Sequence, residues 1–348
     1  MSFLPPEALA DERSLTAASR RAVELARAGS LRAGLALASH ARRHARSLET
    51  LRGEVEALNA AAIVHLIRGD AICAAAAAID AADLARGTDD AILLGHAHLS
   101  LAMARLTLGL PGDHCAQLSA IVARCDGDAA FEIRGRVILG VALGDAGRFD
   151  EAEVELRAAL SLSRANESTT TPARIVTNIA NLSRKRAMAA TEPRDIALAC
   201  ADGIWHAHWA RSLAIEEGSV PVIVDALAVH GALLVRKGSP AEGASLLREA
   251  VATGRSNGCR TPLAWVLCEL GALLAASGDT AGAREAYAEA LEIGVQLTPS
   301  RKVQAACKGL AGVEERCGNR DAAAIWRARE AAESEAYRRG SEHLKFDA

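Results

Sequence analysis

Seven glycines set the plan of this 348-residue chain: Gly29, Gly69, Gly109, Gly147, Gly238, Gly278 and Gly318. Their successive gaps are 40, 40, 38, 91, 40 and 40 residues. A period of this size means that one small unit is copied and stacked, because a single copy leaves an apolar face that only its neighbours cover. The gap of 91 residues is two long units with the middle turn disguised. That turn is expected near Ala189-Ala190-Thr191-Glu192-Pro193, where Pro193 opens the next helix without losing a needed donor. The clearest copy runs from Pro262 to Leu297: residues 263–277 read as one amphipathic helix, Gly278-Asp279 as a turn, and residues 280–291 as a second helix folding back. Eight such pairs fill the chain from about Ser14 to about Arg339, and nothing reads as strand.

Within the clearest copy, small Gly271 lies seven residues before the turn, and Ala283, Tyr287 and Ala290 follow it. This spacing resembles the tetratricopeptide repeat, which places small residues where two helix backbones cross closely and an aromatic between them. Gly140, Ala152 and Ala159 repeat the pattern, as do Gly231, Gly243 and Ala250, and Ala22, Gly34 and Ala41. The period near 40 is longer than the usual 34, and most aromatic positions hold Leu or Ala. In this the chain is similar to the tetratricopeptide-like sensor regions of bacterial regulators. The resemblance implies an all-α fold, a right-handed α-solenoid (superhelix) of about eight antiparallel helix pairs. It also implies a concave groove, lined by the first helix of each pair, that holds a peptide or a partner helix. Residues 1–12 are then an N-terminal tail, 13–340 the solenoid, and 341–348 a C-terminal tail or a junction to a further domain.

Composition narrows the classes of work. Half of the residues are hydrophobic, mostly Ala and Leu, and only 3% are aromatic, which suits thin, close-packed helical layers. A net charge of −3 argues against a nucleic-acid binder. The longest unbroken apolar run, Ala71 to Ile79, is too short to span a bilayer. The start, Met1-Ser2-Phe3-Leu4-Pro5-Pro6-Glu7, lacks the regions of a signal peptide, so a cytoplasmic location is expected. Eight cysteines stand with no Cys-x-x-Cys pair and are expected to behave as small buried hydrophobes; no metal site and no cofactor are expected.

The fifth pair is the place to look for binding. With Ala180 as the crossing residue, Arg174, Thr177, Asn181 and Arg184 share the groove face, with Asn178 beside them. An Asn amide both donates and accepts, so it can hold a peptide backbone, and Arg adds charge-assisted bonds to a carboxylate or phosphate. The same register brings Arg134 and Asp225 to the groove, with Glu56, Asn59 and His96 on one side and Trp265 and Lys308 on the other. A basic centre with mixed ends points to an acidic ligand or one with a free C-terminal carboxylate. The plain alternative is a solvated polar face.

Trp205 and Trp209 are four residues apart on one helical face of the same pair. They read first as core filling where this pair is longest, and second as an aromatic anchor for a partner. His206 and His208 diverge on a helix, and His40 and His44, though well spaced, sit among Arg42, Arg43 and Arg46, so neither pair reads as a metal site. No glycine-rich phosphate loop, strained nucleophile or isolated carboxylate pair is present, so the chain is expected to bind rather than catalyse. The last segment, Leu344-Lys345-Phe346-Asp347-Ala348, looks like the opening of a GGDEF diguanylate cyclase domain. That resemblance implies the alternative of a sensory input region cut at its junction, signalling through a C-terminal helix that pairs in a homodimer. A scaffold without a specific ligand is the third reading.

Overall fold

The computed structural model describes residues 11–27, 29–88, 90–108, 114–124, 127–166, 170–295 and 301–342. Among them it contains sixteen helices and no strand. The chain divides into two compact units, Gly127–Tyr337 and the remainder, Met1–Asp126 with Arg338–Ala348.

The first unit holds α1 (Glu12–Arg27), α2 (Leu31–Ser47), α3 (Leu51–Arg68), α4 (Ala71–Ala85), α5 (Ala91–Leu108) and α6 (His114–Val122). Alanine carries its core: Ala18, Ala22, Ala38, Ala41, Ala45, Ala57 and Ala60 pack with Leu15, Val23 and Leu37 where α1, α2 and α3 meet. Of the described helices only α5 is long and apolar enough to cross a membrane, and 44% of it is buried within the protein.

The second unit holds α7 (Ala129–Asp145), α8 (Phe149–Ala165), α9 (Pro172–Ala189), α10 (Pro193–Glu216), α11 (Val220–Lys237), α12 (Pro240–Ser256), α13 (Arg260–Ala276), α14 (Thr280–Val295), α15 (Arg301–Arg316) and α16 (Arg320–Glu342) as far as Tyr337. Each odd-numbered helix packs on the even one after it in the pairs from α7 to α14, and α7, α9, α11, α13 and α15 also pack on one another in chain order. The second helices stand further apart and reach each other through long side chains: Arg211 of α10 pairs with Glu249 of α12 at 2.6 Å, and Arg255 of α12 with Glu289 of α14.

The turns fall where the glycine spacing puts them. Gly69 and Gly278 adopt φ of 85° and 88°, the left-handed region that a side chain rarely enters, and the residue after each donates back to the helix. Gly109 lies outside the described residues. The disguised turn separates α9 from α10, which opens on Pro193. No glycine ends α9; instead Arg236 of α11 donates to the carbonyls of Ala187 and Ala190 at 3.2 and 3.3 Å, placing its charge at the negative end of the helix.

Close crossing explains the small residues. A Cβ on Gly140 or Gly231 would lie 2.7 Å from Leu156 or 3.0 Å from Leu247, the leucines at the aromatic position. At Gly271 it would meet the Tyr287 ring at 3.0 Å, and at Gly309 of α15 it would overlap the same ring. Tyr287 is therefore wedged between two glycines and is 6% exposed. The cysteines follow the expectation only in part: Cys115, Cys200 and Cys307 are buried, but Cys73 and Cys317 reach solvent.

Candidate functional site

In the second unit α9 is buried on most of its circumference. Ala173, Ile175, Val176, Thr177, Ile179, Ala180, Leu182, Ser183 and Ala187 all lie inside. Among its accessible residues, Arg174, Asn178, Asn181, Arg184, Lys185 and Met188 form one stripe, while Arg186, on another side, pairs with Asp150 of α8 at 2.8 Å. Side chains of the neighbouring first helices reach it: Asp225 of α11 and Trp265 of α13.

Thr177 is the exception among the expected groove residues. It is 4% exposed and its hydroxyl donates to the Ala173 carbonyl at 2.8 Å, so it closes a local bond and is not accessible. Asn178, one residue on, takes its place on the stripe. Its amide is half-buried and meets no hydrogen-bonding partner among the described residues.

Two arrangements stand along the stripe. At one end Arg174 Nη1 lies 2.5 Å from Asp225 Oδ2 of α11. Nearby, Lys302 of α15 donates to the Thr261 carbonyl at 2.8 Å; burial pushes its pKa down, opposed by Asp225 and Cys268. Burial and Glu269 push the Cys268 thiol up to about 12, so it stays protonated. Further along, Arg184 Nε donates to Asn181 Oδ1 at 2.9 Å, and its guanidinium carbon lies 5.6 Å from the Trp265 ring of α13. The Trp265 indole donates to Glu269 at 3.1 Å, and Met188, 63% exposed, lies against Arg184. The side chain of Arg184 is thus held in one direction by an amide, an indole and a thioether, while Asn181 keeps its amide nitrogen for another partner.

The structure brings Arg174, Asp225, Asn178, Asn181 and Arg184 to one side of the unit, with Arg134 half-buried on the adjoining first helix, α7. Lys302 joins them, although the register pointed to Lys308, which is exposed. Lys302 escapes a count from the crossing residue because it sits in the first turn of α15 and reaches sideways to the start of α13. In the first unit, Asn59 is buried and Glu56 of α3 accepts from Thr16 of α1 at 2.5 Å.

Trp205 and Trp209 stand apart from this stripe, on α10. The expected core filling is wrong for Trp205, which is 60% exposed. The buried stripe of α10 consists of Ala199, Cys200, Gly203, His206, Ala207, Ala210 and Ala214, and a Cβ on Gly203 would sit 2.7 Å from Leu233. Neighbours come too near for an indole to enter. The two rings pack on each other at 5.2 Å, and Arg164 of α8 covers Trp209 at 4.9 Å. His206 is buried with Nδ1 2.9 Å from the Asp202 carbonyl oxygen, and the Asp202 carboxylate accepts from Ser183 at 2.6 Å. The His40 and His44 rings stand edge to face with centroids 5.4 Å apart.

No known family model matches the chain. No curated protein matches it either. Solved structures do. It is similar to a Rap protein complexed with competence and sporulation factor, at 12% identity and a TM-score of 0.60, over 95% of this chain and 100% of that one. The Rap conjugation gene regulator of the plasmid pLS20, in complex with the Phr* peptide, matches at 14% identity and a TM-score of 0.59, over 85% of this chain and 79% of that one. Aspartyl phosphate phosphatase F from Bacillus subtilis matches at 11% identity and a TM-score of 0.53, over 86% and 75%. At these identities the likeness is one of fold: a tetratricopeptide-like helical repeat.

Proposed function

We propose that this chain, a tetratricopeptide-like repeat protein by its fold, is a peptide receptor that binds and does not catalyse. The α9 stripe, with the facing side chains of α11, α13 and α15, is the binding surface. The observation that carries the reading is the half-buried, unpartnered amide of Asn178, with Asn181 one turn on holding an Arg184 that lies against Trp265. An extended peptide brings backbone donors and acceptors that need such amides once water is displaced. Arg184, Arg174 and Lys302 outnumber Asp225 and Glu269 along the stripe, which favours a peptide that is acidic or ends in a free carboxylate here. Two neighbours in fold were solved in complex with competence and sporulation factor and with the Phr* peptide, which supports a peptide as the ligand class. The cytoplasm is the proposed place of action.

The test is titration of acidic and neutral extended peptides, read by Trp265 fluorescence and by calorimetry. Changing Asn181 and Arg184 together to Ala is expected to weaken binding by roughly a hundredfold, from the loss of an amide bond and a charge-assisted bond. Unchanged affinity in the double variant rules the groove out. A second reading, a sensory input region, is supported by α16, which at 23 residues is exceeded among the described helices only by the 24-residue α10 and lies last among them. Leu344–Ala348, which carries the GGDEF resemblance, lies outside the described residues. An open reading frame continuing past Ala348 into Leu-Thr-Gly favours that reading.

A further inference from the structure

The turn between α3 and α4 gathers a different chemistry. His65 in the last turn of α3, Asp70 in the turn, and Cys73 in the first turn of α4 bring an imidazole nitrogen, a carboxylate oxygen and a thiol sulfur within 4.8 Å of one another. Among the described residues no other group of three such side chains converges this closely. Asp70 is the fixed point. Its Oδ1 accepts from the Cys73 backbone N–H at 3.1 Å and its side chain is 4% exposed, so the carboxylate cannot turn away. Its Oδ2 lies 3.7 Å from His65 Nδ1 and also receives the Arg68 guanidinium.

We propose that His65, Asp70 and Cys73 form a binding site for a zinc-class transition-metal ion, with Arg68 as the cation that holds the place of the metal in its absence. Nitrogen, oxygen and sulfur in one set suit Zn²⁺, which binds them at about 2.0–2.3 Å, and disfavour Mg²⁺ and Ca²⁺, which take oxygen alone. A tetrahedral ion draws its ligands to roughly 3.3–3.6 Å from each other, so side-chain rotation of the order of 1 Å closes the set. Three ligands leave the fourth position open to water or to a further donor. On binding, the Cys73 S–H bond breaks, its proton passes to solvent, and the thiolate forms the metal–sulfur bond, while His65 binds as the neutral ring. Arg68 yields easily, because 39% of its side chain is exposed and its guanidinium can turn into water. The burial of Asp70 is what makes some cation necessary there. In the empty state it is the guanidinium, and in the loaded state the divalent ion does the same work more strongly.

The experiment uses the full chain, dialysed against a chelator and titrated with Co²⁺ and then Zn²⁺. One Co²⁺ per chain is expected, with a thiolate-to-cobalt charge-transfer band that Zn²⁺ displaces. Cys73→Ser and His65→Ala are expected to lose the band while keeping native helical circular dichroism. Arg68→Ala is expected to tighten Zn²⁺ binding by about tenfold, the worth of the charge-assisted bond the metal no longer has to displace. Absence of the band in the native chain, or its survival in Cys73→Ser, overturns the site. Unaltered Zn²⁺ affinity in Arg68→Ala overturns the role given to that residue. Cys73 reaches solvent, so its replacement by Ser leaves the fold intact and the test decisive.

Discussion

Two turns of this chain share a backbone and differ in everything around it. At Gly69-Asp70 and at Gly278-Asp279 the glycine is left-handed, the aspartate N–H donates back to the helix at 2.9 or 3.0 Å, and the aspartate side chain caps the next helix at 3.1 or 2.9 Å. Position by position, however, His65 stands where the second turn has Leu274, Arg68 where it has Ser277, and Cys73 where it has Gly282. Asp70 is consequently buried among donors, whereas Asp279 is exposed and only caps. Burial by itself pushes the Asp70 carboxyl up, but the bonds from His65, Cys73 and Arg68 hold it well below the usual carboxylate range. The same capping geometry therefore serves as a joint in one place and as a charged centre in the other.

The difference can be broken from the large end first. In chelator, Asp70→Ala is expected to cost about 2–3 kcal/mol, a lost cap plus lost charge-assisted bonds, read as a lower urea midpoint for the first unit by hydrogen exchange. Asp70→Asn keeps a cap and is expected to cost about 1–2 kcal/mol at neutral pH. Because the folded pKa of Asp70 is depressed, its charge contributes stability above the ordinary value of 3.8 and loses it as pH falls through the folded value. The gap between native chain and Asp70→Asn is thus expected to stay constant above 3.8 and narrow below it; a gap that widens in acid contradicts the assignment. Asp279→Ala is expected to cost about 1 kcal/mol, the worth of a cap alone, seen as faster exchange confined to the first turn of α14. If the two alanine variants cost the same, the surroundings of Asp70 add nothing.

These turns also show what a sequence reveals. Left-handed glycines and the small residues at crossings act through backbone shape, which is local, so the spacing of Gly29, Gly69, Gly147 and Gly238 predicted the pairs found. Even the disguised turn was legible, because Pro193 marks a helix start. Which side chains of α9 stay accessible was half legible. Asn181 and Arg184 follow from helical register, but Thr177 is buried, since a threonine hydroxyl can bond its own helix and leave the accessible position to Asn178. Trp205 was misread because aromatic character says nothing of how near the neighbouring helix lies, and the alanines of α10 leave an indole no room. Lys302 and the convergence at Asp70 depend on side chains from separate helices meeting at their ends, which no single-helix count contains.

Tyr287 carries a last consequence. One ring, one of two tyrosines in the chain, touches Gly271 of α13 and Gly309 of α15, and so belongs to two successive pairs at once. In a linear array the free energy at each junction decides how far a local opening spreads. Fraying that begins near the end of α15 must draw the phenol from its slot before the seventh pair can follow, and that slot is filled only while both neighbours are folded. The ring therefore acts as a coupling element, making two pairs melt as one cooperative block.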